Sequence, residues 1–484
     1  MRTALAAGVL GAATLGSGAP LPAVGQEAGH LDRAPCELEG VTGPAECGTL
    51  TVWEDRDGRT GRAIDLYFVL LPPTDPDPEP DPIYFLVGGP GQGAASTARG
   101  WSRSPRRARR AIVLMDQRGT GKSNVLNCLH DEAAPVEAFL GQLFDPDHIA
   151  ACRAELERHA DLTRYTSPAS LDDLDDLRAA LGHESINLIG GSYGTRAALV
   201  YIRRHGQHVR SATLEAAMSL AQTMPEGMAR DAEAAIRGVL RDCADSPPCA
   251  ESYPDLEREY TAVVERSRRP MSVTIRDPRD NREVETVLQP AGFGEALRAM
   301  LYDPGATRRI PELLHAAATE EDFDGFASFG ANRTYRIERA AATGLYLSVT
   351  CAEDIPFASE AAEYEQGAGT FLADSRARSH FEACRRWPRG SVPDDFHDHV
   401  ASDVPVLVIS GTHDPVTPPR YGADAARFLS RSIHVIVPHG HHDWGALENA
   451  SDCVGGIEDS FLEDPLARAD LSCLETIRRR PFTQ

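Results

Sequence analysis

The sequence predicts an α/β fold: a mostly parallel, doubly wound sheet carrying a largely helical cap insertion. Three observations point there. Short apolar runs alternate with helical stretches, a Gly-Gly-Ser-Tyr-Gly turn at 190–194 sits between a strand and a helix, and the interval between Leu214 and Val404 is poor in strands. Segments 48–54, 63–71 and 83–87 read as strands, the third after a Pro/Asp-rich linker at 72–82. Segments 111–115 and 186–189 are largely apolar, as strands covered on both faces are. Segments 209–214, 404–409 and 433–437 complete the set. Alternation of such strands with helices places functional residues in the loops beyond the strands' carboxyl ends. Between the sixth and seventh strands, helices are expected over 226–243, 255–266, 292–301 and 308–318. A hairpin of 271–275 with 283–288, turning at 277–281, interrupts them. An insertion at that point lies above the active end of the sheet and governs which substrates are admitted. The expected organisation is a leader at 1–25, a first core part at 26–216, the cap at 217–401 and a second core part at 402–484.

With 484 residues, 42% of them hydrophobic, the chain can bury a sizeable core as one large domain with an insertion or as two domains. Met1-Arg2-Thr3, the small apolar run at 4–16 and Ala23-Val24-Gly25 resemble a secretory signal peptide, with a disordered or anchoring N-terminus as the alternative. No other stretch approaches the ~20 apolar residues that a membrane span needs. The ten cysteines fall into neighbouring couples: Cys36 with Cys47, Cys128 with Cys152, Cys243 with Cys249, Cys351 with Cys384, and Cys453 with Cys473. None makes a paired C-x-x-C zinc pattern, which favours disulfides and a secreted or periplasmic location. Spacing leaves the connectivity open; nearest-neighbour pairing orders the least chain. A formal charge of −23 speaks against nucleic acid and anionic membrane as partners.

The turn at 190–194 fits a G-x-S-x-G elbow, in which a serine occupies a sharp bend with its hydroxyl exposed at the end of the sheet. Ser192 is the candidate nucleophile. Alone the pentapeptide is weak evidence, but an α/β-hydrolase sheet also demands an oxyanion hole upstream, then an acid, then a histidine, and all occur in that order. Gly88-Gly89-Pro90-Gly91 follows the third strand and offers the Gly89 N–H, with the Tyr193 N–H as second donor. Asp414, in the loop after the seventh strand, is placed to orient an imidazole. The loop after the eighth, Pro438-His439-Gly440-His441-His442-Asp443, supplies the base. His441, directly after the glycine, is the expected base and His442 its alternative. A metal held by His439, His441, His442 and Asp443 is the competing reading, but the spacing fits no familiar zinc pattern, so no metal or cofactor is expected. Asp116-Gln-Arg-Gly-Thr-Gly-Lys-Ser123 imitates a phosphate loop but has aspartate where the first glycine belongs. Asp116 and Arg118 are expected to make structural hydrogen bonds instead.

Together, Gly88–Gly91, Asp116–Gly121, Gly190–Thr195, Asp414 and Gly440-His441 resemble the prolyl-iminopeptidase and tripeptidyl-aminopeptidase family of α/β-hydrolases. The similarity extends over most of the chain after the leader, including Cys47-Gly-Thr-Leu-Thr-Val52 and the region from Cys384-Arg-Arg-Trp387 onward. The resemblance implies the α/β-hydrolase fold, a triad of Ser192, Asp414 and His441, and an oxyanion hole of Gly89 and Tyr193. It also implies acidic cap groups that hold a peptide's free α-amine. Glu353 and Asp354, beside Cys351, are the candidates, with a structural carboxylate pair as the alternative. Val87 stands where a histidine often precedes Gly-Gly-Pro-Gly, and the cap has no clear Trp-rich acidic motif, so strict proline specificity is not expected. The reading is an exported serine aminopeptidase that releases proline or di- and tripeptides from short peptides with a free N-terminus. A carboxylesterase or lipase-like esterase on the same triad is the alternative, and a non-catalytic binding protein a third.

Overall fold

The computed structural model describes residues 28–484; the leader expected at 1–25 lies outside them. In chain order the strands are β1 (Leu31–Pro35), β2 (Glu46–Trp53), β3 (Ala63–Leu71), β4 (Ile83–Leu86), β5 (Ile112–Met115), β6 (Ile186–Gly191), β7 (Val209–Glu215), β8 (Met271–Arg276), β9 (Glu283–Leu288), β10 (Val406–Gly411) and β11 (Ser432–Val437). Nine form one sheet in the order β1-β2-β3-β5-β4-β6-β7-β10-β11, while β8 and β9 pair separately as an antiparallel hairpin. From β5 to β11 the neighbours are parallel. The other edge, β1 to β3 and on to β5, is antiparallel.

Helices covering both faces explain the apolar central strands: every residue of β5 and of β10 is buried. β1 is the strand that the sequence reading did not include. It is largely exposed, and its Asp32, Arg33 and Pro35 give an edge that discourages further pairing while hiding the apolar alternation by which a strand is recognised.

Two hydrophobic clusters organise the molecule. One packs Phe68, Tyr84, Leu188, Tyr201 and Val408 between the sheet and its helices. The other joins Ile236, Phe293, Leu297, Met300, Phe323 and Phe326 within the insertion. The inserted chain contributes to both. Its later helices, Thr343–Glu353 and Ser375–Arg386, with the following Trp387, send Leu345, Leu347, Val349, Phe381 and Trp387 into the first cluster. Burying each such side chain is worth roughly 1.5–3 kcal/mol, so this return segment is anchored to the sheet and is not part of a separate lid. All five neighbouring cysteine couples are disulfides. Cys243–Cys249 lies in the inserted layer, and Cys351–Cys384 ties the two return helices together.

Candidate active site

β6 ends at Gly191 and a helix, Tyr193–His205, begins one residue later, leaving Ser192 between them at φ 55° and ψ −121°. That backbone is strained for a residue with a Cβ and persists only when its surroundings hold it. Ser192 N–H donates to the Glu215 carbonyl at 2.9 Å, and the Ser192 carbonyl accepts from Thr195 N–H at 2.9 Å and Thr195 Oγ1 at 2.6 Å. Only glycine fits at the flanking positions: a Cβ on Gly190 would lie 2.4 Å from Gly194 O, and one on Gly194 2.0 Å from Leu86 O. Tyr193 opens the helix, so its N–H has no intrahelical acceptor. Gly88 lies against the serine, since a Cβ there would stand 3.2 Å from Ser192 Cβ; the next residue, Gly89, adopts φ 117°. The Gly89 and Tyr193 amides are thus carried on chain segments that border Ser192.

Asp414 is buried in the loop after β10 and saturated with donors. It accepts from Val416 N–H at 2.8 Å, Thr417 N–H at 2.9 Å, Thr417 Oγ1 at 2.6 Å and His442 Nδ1 at 2.9 Å. Burial alone would raise the carboxyl pKa, but the His442 imidazole and the Thr417 hydrogen bonds outweigh it and leave Asp414 below the ordinary carboxylate range. Thr417, three residues after the acid, is a functional neighbour that the sequence reading missed. Its signal was the Asp-x-x-Thr spacing, which lets a side chain and a backbone amide of one turn bond the same carboxylate.

The histidine against Asp414 is His442, not the expected His441. The turn after β11 uses Gly440 N–H to close on Val437 O at 3.1 Å, with His439 at φ 57°. That geometry presses the His441 backbone against Gly411, where a Cβ would lie 2.2 Å from His441 O, and aims the His441 ring at the insertion. His441 Nδ1 there donates to Leu301 O at 2.8 Å. Burial, with His413 nearby, pushes the His441 imidazole down to about 4, so it is neutral at physiological pH. His442 keeps its second nitrogen free of Asp414, and its ring meets Tyr302 edge-on at 4.9 Å. His439 faces Asp242 at 3.3 Å, so these loop histidines diverge instead of converging on a shared centre.

Glu353 and Asp354 do not face a substrate either; both are fully buried. Glu353 accepts from Ser167 N–H at 2.5 Å and Ser167 Oγ at 2.7 Å, and Ser167 Oγ in turn meets the Tyr193 hydroxyl at 2.7 Å. Asp354 accepts from Arg196 Nη1 at 2.9 Å and Met224 N–H at 3.0 Å. Both brace the underside of the elbow helix, so a peptide ammonium has no access to them. Burial raises Glu353 to about 7 despite Arg196 and the Ser167 bonds, and raises Asp354 as well. The segment 116–123 is structural as expected. Asp116 accepts from Ala95 N–H at 2.8 Å and Lys122 N–H at 2.9 Å, and buried Arg118 pairs with Asp173 at 2.7 Å.

A serine in a strained elbow, at the same end of a parallel sheet as a buried Asp–His pair, defines a class: the chain is an α/β-hydrolase, and an enzyme of the serine hydrolase kind. Residues 81–247 match the α/β hydrolase fold family, and residues 370–473 match the TAP-like protein family. The chain is similar to the serine protease Hip1 of Mycobacterium tuberculosis, at 25% identity over 466 residues that cover 85% of this chain and 84% of the relative. The tripeptidyl aminopeptidase of Streptomyces lividans is 29% identical over 219 residues, 42% of this chain and 41% of the relative. The proline iminopeptidase of Xylella fastidiosa is 29% identical over 138 residues, 28% and 33% of the two chains. Within its class the chain is thus similar to peptidases, a tripeptidyl aminopeptidase and a proline iminopeptidase among them.

Proposed function

We propose that the protein is an exported serine aminopeptidase that cleaves short peptides with a free N-terminus through an acyl-enzyme on Ser192. The observation that carries this reading is the Asp414–His442 pair, held at 2.9 Å in the loops after β10 and β11, beyond the same sheet edge as the Ser192 elbow. Asp414 fixes the tautomer that leaves His442 Nε2 as the acceptor. His442 takes the Ser192 hydroxyl proton as Oγ attacks the scissile carbonyl, and the Gly89 and Tyr193 amides receive the oxyanion. The same proton then passes to the departing amine, and water repeats the sequence to release the acyl group. Relatives that include a tripeptidyl aminopeptidase and a proline iminopeptidase support peptides as substrates, and five disulfides support an oxidising compartment.

A fluorophosphonate probe should label Ser192 alone, and peptide anilides should be cleaved with free but not acetylated N-termini. Equal cleavage of both would remove the aminopeptidase assignment. Turnover confined to acyl esters would make the protein a carboxylesterase.

A further inference from the structure

Arg298 lies on the helix Pro290–Met300, is only 4% exposed, and has no protein hydrogen-bond partner for Nε or Nη2. Its neighbours do not supply one. Glu295, one turn earlier, gives its Oε2 to Arg376 Nη1 at 2.6 Å and keeps a buried Oε1 without a partner, yet no carboxylate among the described residues reaches ion-pair distance of Arg298. A guanidinium with two buried nitrogens that lack acceptors is unfavourable, because their desolvation is uncompensated. The Tyr302 ring, 5.1 Å from Arg298 Cζ, offers a cation–π contact but no acceptor for the N–H groups.

The position is as informative as the missing partner. The half-buried Tyr302 ring that packs on Arg298 is the one that meets the His442 imidazole at 4.9 Å, and exposed Arg333 lies 5.6 Å from the same ring. The guanidinium is one aromatic ring from the histidine beside Asp414. An extended peptide advances roughly 3.4 Å per residue, so a group about two or three residues from the scissile bond spans that interval. A carboxylate presents two oxygens to a guanidinium fork and matches its donors bidentately.

We propose that Arg298 is a substrate-binding residue that receives a carboxylate, either the free α-carboxylate of a short peptide or an Asp or Glu side chain. The proposal rests on the serine peptidase reading and adds the substrate class to it. Arg333, exposed beside the same tyrosine, adds positive potential on the solvent side.

The test is a series of three- to five-residue peptides in matched pairs, Glu against Gln at each position and C-terminal acid against C-terminal amide. The wild-type protein should favour the carboxylate member of at least one pair by about tenfold or more in kcat/KM, the scale of one charge-assisted hydrogen-bond pair. Arg298→Gln should collapse that ratio, and Arg298→Lys, which keeps the charge in a less demanding substitution, should retain part of it. Preference in the acid/amide pair identifies the α-carboxylate, and preference in a Glu/Gln pair identifies a side chain. Indifference of the wild-type protein to every pair, or a ratio that survives Arg298→Gln, overturns the proposal. Fluorophosphonate labelling separates the two levels: labelled Ser192 without a carboxylate preference refutes the Arg298 site alone, whereas an unlabelled Ser192 refutes the peptidase reading beneath it.

Discussion

Asp414 and the Glu353–Asp354 pair are both buried carboxylate sites next to the elbow's machinery, yet their surroundings give them opposite properties. Asp414 sits in a turn whose amides and threonine hydroxyl point at it, and its remaining partner is an imidazole with one nitrogen left to act. Glu353 and Asp354 are enclosed on all sides, and their partners, Ser167, Arg196 and the Met224 amide, are spent on holding the helix that starts at Tyr193. The carboxyl is lowered in the first site and raised in the second. Burial therefore does not separate the proposed catalytic acid from a structural one. What separates them is whether the partner still has a free valence facing the reaction.

Kinetics should give the largest contrast. Asp414→Asn and His442→Ala should each lower kcat by roughly 10³–10⁴-fold with folding retained, as loss of a triad member does, while His441→Ala should change it little. Steady-state assays with circular dichroism on the three variants test this, and a His441 variant as inactive as His442→Ala would return the base to the residue after the glycine. Next in size is a stability effect confined to the other site. Arg196→Met leaves Asp354 buried without its cation and should cost about 3–5 kcal/mol in urea denaturation. Breaking Cys351–Cys384 with paired serines should cost about 2–4 kcal/mol by freeing the return helices in the unfolded chain. Either variant, at temperatures where it stays folded, should still label at Ser192.

The smallest effect concerns pH, and its sign differs between the sites. Glu353 is raised in the folded state, so its contribution is full below the unfolded carboxyl value and is lost as pH rises through about 7. Asp414 is lowered, so its contribution is present above the unfolded value and is lost as pH falls through its folded pKa. Glu353→Gln should flatten the decline of stability between mildly acidic and neutral pH. An unchanged profile from thermal melts would mean that Glu353 is ionised throughout that range.

Much of this is legible in the sequence. The central strands announce themselves as apolar runs, and Gly190, Ser192 and Gly194 are chosen by contacts within a few residues, so local spacing identified the elbow. Asp414 is singled out the same way, from its place after a strand, and the structure sets it against His442. The choice between His441 and His442 was not legible, because it depends on how the turn at Val437–Gly440 is closed and on the Leu301 carbonyl, contributed by chain about 140 residues away. For Glu353 and Asp354 the choice between amine binding and a structural pair is hidden for a related reason. A carboxylate pair near a cysteine looks the same in sequence whether it faces solvent or lies under Tyr193. The return segment after Ala342 reads as more of the helical insertion, and only its tertiary contacts reveal that it belongs to the sheet's own core.

The loop that carries the proposed base is fastened to the insertion at consecutive points: Leu301 O receives His441, Tyr302 O receives the Asp443 amide at 3.0 Å, and the Tyr302 ring rests on His442. These are the residues that end the helix bearing Arg298. A displacement of the insertion at this edge would carry away the supports of the proposed proton acceptor, so the placement of His442 depends on these contacts staying closed. Hydrogen exchange offers a direct reading: the amides of 440–443 should be protected together with those near 301 and 302, as one mechanical unit that aligns the proposed base.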